Sequence, residues 1–412
     1  MSLLKAKVIG VGAAGNKAAI DLIESGIIDD IDTILVNSTI KDIPEKYRNI
    51  SIVMSTNAQE GCGKERNIAK RLASEAIQNG ILDLDGFITK DVDLTILIGS
   101  TEGGTGSGSI PMMASYIRNF IDNTEDYEEC DEEYFRANVH VVGLKGFGID
   151  GRAFQNSIEF LKEIEETFTV EIIDNKKFLD EAKKDKTKAE KLANQELCRR
   201  VSTLLGQRYI DASQNIDRKD QYKAATMPGF ITIEHYDLID KIKNVQEFND
   251  ICVQMVDNTK SVSLSDTQKR LAVILNIPKS CEQYIDTDFE VLKEKLGFPY
   301  EVFHQIQYIE DSKQEAYIEF ISSGMNMPIE ELEKLYEEYK AASSKVNKAQ
   351  DNFFDLARKI TGNAEDDMFN GDLKTEKHKK DKSAFFAQYS GKKSTEKKPE
   401  PKQKDPKKTD KF

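Results

Sequence analysis

The sequence predicts an α/β protein: a parallel sheet flanked by helices, a long central helix, a second α+β region, a C-terminal helix and a disordered basic tail. Three observations carry this. Short apolar runs alternate with helical patterns through the first half, the arrangement that builds a parallel sheet with helical crossovers. One helical pattern, beginning at Lys186, continues well past the length of its neighbours. After Gly371 the composition turns to lysine, proline, serine and threonine, which bury too little apolar surface to offset chain entropy.

Strands are expected at Ala6 to Val11, Thr33 to Val36, Ser51 to Met54, Leu94 to Ile98, Val139 to Leu144 and Val170 to Ile173. Between them Asn16 to Glu24, Glu65 to Gln78, Ser107 to Ile121 and Phe154 to Thr167 place apolar residues three and four apart, as amphipathic helices do. Lys186 to Ala212, with Leu192, Leu197, Val201, Leu204, Leu205 and Tyr209 along one side, reads as a spine between two domains. Beyond Pro228 come strand patterns at Leu271 to Ile277, Phe303 to Ile309 and Ala316 to Ser322. The last two, separated by Glu310 to Glu315, read as a hairpin. Pro328 opens a charged helical segment, Ile329 to Ile360, that Gly362 ends. The expected divisions are therefore 1–185, 186–227, 228–327, 328–362 and 363–412.

At 412 residues the chain exceeds the roughly 250 to 300 at which single cores split. Its 39% hydrophobic and 32% charged composition suits a folded soluble protein. No apolar run approaches the ~18 residues a membrane helix needs. Met1 to Gly15 reads as strand and turn, not as a signal peptide, so a cytoplasmic protein with no membrane partner is expected. Cys62, Cys130, Cys198, Cys252 and Cys281 stand far apart and never meet histidines at zinc-finger spacing, which argues against a disulfide scaffold or a structural zinc. Residues 372–412 carry 14 lysines against 7 acids, net +7, which leaves 44 bases against 65 acids, net −21, in residues 1–371. The body repels nucleic acid and the tail does not. The acidic run Asp122 to Glu133 reads as a solvated loop.

Gly10, Gly12 and Gly15 form a G-x-G-x-x-G between a strand and a helix. Such glycines let backbone N–H groups and a helix dipole meet a phosphate. A dinucleotide fold would also want an acid at the end of the second strand, where this chain has Asn37. A second loop, Ser100 to Ser109, alternates Gly103, Gly104, Gly106 and Gly108 with hydroxyl residues, a nest of donors to which Thr105 and Ser107 add side chains. It lacks the lysine of a P-loop. Further on, Glu234 and Asp237 stand three apart after Pro228-Gly229. At a helix start they would share one face, where acids also serve as caps, and His235 between them would point elsewhere.

The sequence GGTGSG at Gly103 to Gly108 resembles the signature loop of the tubulin and FtsZ superfamily, whose members bind GTP on a Rossmann-like domain and polymerise. Gly10 to Asn16 looks like that family's first glycine loop, and Gly61 to Lys64 sits where a third would be. Lys145 to Arg152 is similar to its Lys-Pro-Phe-x-x-Glu-Gly-Arg loop, with Gly146 for the proline and Asp150 for the glutamate that meets the ribose. Asn175 and Asn194 match the asparagines that contact guanine. The resemblance covers about residues 5 to 325.

The resemblance implies a GTPase domain over residues 1–185. GTP, with Mg2+ on its phosphates, would be bound by Gly12, Ala13, Ala14, Asn16, Asn37, Gly103, Gly104, Thr105, Gly106, Ser107, Asp150, Asn175 and Asn194. It also implies head-to-tail self-assembly, with Glu234 and Asp237 entering the next subunit's pocket to orient the attacking water. Whether Lys64 and Arg152 reach phosphate stays open. Within the superfamily the chain is most similar to the TubZ proteins, because one extended helix follows the second domain and a lysine-rich tail ends the chain. That implies segregation of plasmid or phage DNA through a DNA-binding adaptor held by residues 374–412. FtsZ tails finish in a short apolar peptide where this one offers Phe412, so an FtsZ-like division filament is the alternative. A dinucleotide-binding oxidoreductase would account for Gly10 to Gly15 and leave the second loop unexplained.

Overall fold

Buried runs set the layout. In the computed structural model β1 (Ala6–Val11), β2 (Thr33–Asn37), β4 (Leu94–Ser100), β5 (Asn138–Lys145) and β6 (Thr169–Asp174) are buried almost end to end. That is the state of strands in a parallel sheet covered on both faces. The structure describes residues 2–344 apart from 55–60, 90, 123–137, 149, 165–167, 208–214, 239–241 and 311–315. The chain divides into two units, Met1–Ser344 and Lys345–Phe412. All of the second lies outside the described residues, as do Cys130, most of the acidic run, and the expected ends of the central and C-terminal helices.

Among the described residues one ten-stranded sheet runs in the order β3-β2-β1-β4-β5-β6-β7-β10-β8-β9, where β3 is Ser51–Val53, β7 Gly229–Asp237, β8 Arg270–Pro278, β9 Glu301–Ile309 and β10 Tyr317–Met325. From β3 to β7 every neighbouring pair is parallel. Adjacent strand residues feed opposite cores, as the pleat requires. Val8 and Ile96 pack with α1 (Gly12–Glu24), α6 (Lys186–Leu204) and α7 (Arg218–Thr226). Ile9 and Leu97 pack with α2 (Arg66–Gln78), α4 (Thr105–Asp122) and α5 (Gly151–Glu163). A single turn, α3 (Leu84–Phe87), adds Leu84 to that second core. A third core joins β8, β9 and β10 to α8 (Val245–Asp257) and α9 (Glu290–Lys295) through Phe248, Leu275, Phe289 and Phe320. The helix after Pro328, α10 (residues 329–344), lies on α5, with Tyr339 and Phe154 ring centroids 5.3 Å apart and Lys162 paired to Glu333.

Three expectations are corrected. The strands at 303–309 and 316–322 are not a hairpin: β10 lies between β7 and β8, antiparallel to both, while β9 pairs in parallel with β8. β10 is buried at every position and β9 is largely half-exposed, so the more apolar strand takes the interior place. The central helix stops at Leu204, and Gly206 follows with φ 65°, a left-handed turn that ends helices. Finally, Pro228-Gly229 opens β7, not a helix, and residues 230–234 are buried one after another.

Candidate functional site

The chain passes from β1 outward to β2 and β3, then returns to β4 on the other side of β1. Sheet order reverses there, which leaves a crevice at the carboxyl ends of β1 and β4. Both glycine loops lie in it. Gly12, φ 75°, opens α1, and a Cβ on it would stand 3.2 Å from the amide nitrogen of Gly106, the second residue of α4. Two helix N-termini therefore abut. Val11 caps α1 with no side-chain hydrogen bond, and the first-turn amides of a helix have no intrahelical acceptor. Gly12, Ala13 and Ala14 on one side, and Thr105, Gly106 and Ser107 on the other, thus offer N–H groups and two dipoles to one anion. Ala13 and Ala14 are exposed. Close packing enforces the arrangement: a Cβ on Gly15 would lie 2.0 Å from the Ile98 carbonyl oxygen.

Side chains fasten the surrounding loops. Asn156 on α5 donates through Nδ2 to the carbonyls of Lys64, Glu102 and Gly103, each at 3.1 Å. Ser100 Oγ accepts the amides of Glu102 and Gly103 at 3.2 Å, and the Ser38 and Thr105 hydroxyls meet at 3.2 Å. Gly104 packs on the third loop, where its Cβ would come 3.0 Å from Lys64 Cα. The sequence assigns no role to Asn156, nor to Ser100 beyond its place in the second loop, since their partners are carbonyls and amides that no motif encodes. Asn37, at the end of β2, accepts the Ser38 amide at 2.8 Å and donates to Asp42 at 3.4 Å.

Asp150 caps α5 by accepting the Ala153 amide at 2.9 Å and pairs with Lys64 at 2.6 Å. The Lys64 bond, then the cap, hold its carboxyl below the usual carboxylate range. Arg152 pairs with Glu65. Both basic candidates are thus held by acids. On the opposite flank Asn16 is 1% exposed, and neither its Oδ1 nor its Nδ2 has a partner among the described residues; Asn175 Oδ1 has none either. Buried amides left unpaired carry a cost, and each can both donate to and accept from a base edge. Asn175 opens a 3-10 turn, Asn175–Phe178, that Asp174 caps while pairing with buried Lys145 at 3.2 Å. Asn194 stands on α6 and donates to Asp21 of α1 at 2.6 Å.

The acids expected to act in trans are placed differently. Glu234 is 4% exposed on β7, where its carboxylate meets Arg200 at 3.3 Å and accepts from Thr232 at 2.8 Å and from Thr259. Asp237, largely exposed, bonds His235 at 2.6 Å. Strand residues three apart face opposite sides, so the two share no face. The Lys260 amide also donates to Glu234, and the Lys260 carbonyl accepts from Asp174 at the carboxyl end of β6. Glu234 therefore sits at the same pole as the glycine loops.

A second pair of acids three apart lies at the opposite pole. Asp217 caps α7 by accepting the Asp220 amide at 2.8 Å, and Asp220 stands in the first turn. Arg218 between them donates to Asp93, at the amino end of β4, at 2.6 Å, and to the Leu3 carbonyl at 3.2 Å. That end lies roughly 20 Å from the glycine loops, at about 3.3 Å per strand residue. Partial burial first, then the Asp217 carboxylate, raise the Asp220 carboxyl above its ordinary range. The signal was legible: two acids three apart, just after the long helix.

No protein-family model matches the sequence. The mitochondrial division protein fszB of Dictyostelium discoideum is 25% identical over 245 residues, 58% of this chain and 57% of that protein. The match thus spans less than two thirds of that relative. Among solved structures, a protofilament of TubZ from Bacillus thuringiensis serovar israelensis in its GTPγS form superposes with TM-score 0.64 at 18% identity, covering 84% of this chain and 95% of that one. CetZ2 of Haloferax volcanii, a GTPγS-bound protofilament, superposes with TM-score 0.62 at 16% identity, covering 84% and 100%. The chain has the tubulin and FtsZ-like fold that TubZ and CetZ share.

Proposed function

We propose that this chain is a GTP-hydrolysing protein of the tubulin and FtsZ superfamily that assembles head to tail. The observation that carries the reading is the meeting of two helix N-termini at Gly12 and Gly106, a cradle for consecutive phosphates beside the unpartnered amides of Asn16 and Asn175. In this reading Gly12 to Ala14 and Gly103 to Ser107 hold the phosphates, Asp150 exchanges its Lys64 bond for the ribose, and Asn16, Asn175 and Asn194 meet the base. A magnesium ion carried on the phosphates would offset their charge, and no residue of this chain is assigned as its ligand. Asp217 and Asp220 of the next subunit would orient the attacking water, the raised carboxyl of Asp220 being the better proton acceptor. The nucleotide part would span 1–185, the spine and its connection 186–227, and the second domain 228–327.

The finer role we propose is segregation of plasmid or phage DNA, with residues 374–412 holding a DNA-bound adaptor. The net +7 of residues 372–412 beside −21 elsewhere supports it; the nearly equal likeness to TubZ and CetZ and the match to a mitochondrial division protein leave an FtsZ-like division role as its competitor. Phosphate release from GTP, followed across protein concentration alongside pelleting, tests the core reading. Turnover per chain should rise with concentration together with the pelleted fraction. Equal turnover in dilute, unassembled protein, or tight ATP binding with GTP no better, would overturn it.

A further inference from the structure

Glu102 is an acid inside an anion cradle. It directly precedes Gly103 in the second glycine loop and is 9% exposed. Its carboxylate faces the neighbouring loop, where Oε1 and Oε2 accept the Gly148 amide at 3.0 and 3.3 Å. Gly146 is fitted around it, since a Cβ there would stand 2.5 Å from Glu102 Oε2. A β-carbon at this position would force the Glu102 carboxylate to shift.

The charged groups around Glu102 are Lys145 from the end of β5, Asp174 from the end of β6 and Lys64 from the loop before α2. Lys145 is already paired with Asp174, and Lys64 with Asp150. Each cation has its own acid, so Glu102 is the surplus negative charge of this group. Burial is the chief cause that raises its carboxyl above the ordinary range, against the opposing pull of Lys145 and the Gly148 amide. A nucleoside triphosphate would bring more negative charge into the same cradle. A carboxylate opposes that charge and a carboxylic acid does not. The neutral acid keeps an oxygen that can accept the Gly148 amide, and its O–H becomes a donor.

We infer that Glu102 is a positioning residue of the nucleotide site whose protonation is coupled to triphosphate binding. Up to one proton enters from solvent with each nucleotide, and the neutral side chain holds the loop of Gly146 and Gly148 against the second glycine loop. The inference rests on the proposed GTP site and deepens it. Because binding takes up a proton, affinity must fall as pH rises, by up to about tenfold per unit between the carboxyl's pKa in the free and in the bound chain.

The test is GTP affinity in magnesium buffer from about pH 5.5 to 8.5, spanning the range into which a raised carboxyl moves, for the full chain and for Glu102→Gln. The γ-phosphate's own ionisation is common to both proteins and cancels in their ratio. The parent should weaken with rising pH relative to Glu102→Gln, and the variant should bind more tightly at the alkaline end. Parallel profiles, or weaker binding by Glu102→Gln at every pH, would overturn the inference. A second arm guards against a simple folding defect: Gly146→Ala should weaken GTP binding, and adding Glu102→Ala should recover it by removing the collision. No recovery would count against the fitted loop. A parent that binds no guanine nucleotide at any pH would remove the proposed function along with this inference, whereas parent binding with parallel profiles removes the inference alone.

Discussion

Asp217 and Glu234 show how two carboxylates are set apart by their partners. Glu234 is walled in by Arg200, Thr232 and Thr259, while Asp217 is exposed at a helix start, at the pole away from the phosphate cradle. Asp217→Asn and Asp220→Asn should therefore leave GTP binding and pelleting intact and slow turnover about 10²-fold or more, the usual scale of general base catalysis. Glu234→Gln, which retains an acceptor for both threonines, should turn over GTP at the parent rate per assembled chain. Phosphate release at matched pelleted mass decides this, and the reverse ordering would sink the reassignment. The misplacement at sequence level has a physical cause. The partner that claims Glu234 lies 34 residues away on α6, and spacing alone cannot distinguish an acid so claimed from one left free.

α6 is held to two neighbouring strands of the sheet by one buried cation. Arg200, 1% exposed, meets Glu171 of β6 at 2.6 Å, Glu196 of its own helix at 2.8 Å and Glu234 of β7 at 3.3 Å. Burial raises the Glu171 carboxyl and Arg200 opposes that rise, so removing the guanidinium would strand carboxylates in the core. Arg200→Met should cost about 3 to 5 kcal/mol, seen as a lower denaturant midpoint with an unchanged slope. Arg200→Lys should recover little, since an ammonium cannot reach three carboxylates from one plane. A parent-like midpoint for Arg200→Met would show that the cluster does not secure the helix. Elements of this kind were legible in the sequence where their evidence is local. β1, β4 and β6 announce themselves as apolar runs, and the glycine loops that follow β1 and β4 place the cradle. The insertion of β10 between β7 and β8 was not legible, because it depends on how β10 and β9 compete for an interior position.

At the scale of the whole molecule the governing quantity is the distribution of charge. A net +7 over residues 372–412 against −21 over the rest means that a polyanion is repelled by one part of the chain and attracted by the other, over a range of about 8 Å at physiological salt. The cradle and the acids on α7 are built from residues before 227, so GTP-driven assembly should survive deletion of residues 374–412. Recruitment of a DNA-bound adaptor should not survive it. If lysines of this segment meet phosphates, each contact releases counterions, and the logarithm of the binding constant should fall with the logarithm of salt by roughly 0.7 to 0.9 per contact. Cosedimentation of filaments with the adaptor and DNA complex, in a salt series with full-length and truncated chains, reads both effects at once. A truncated chain that carries the complex as well as the full chain at matched salt would leave the lysines only a solubilising task, and the segregation role would lose its support outside the nucleotide site.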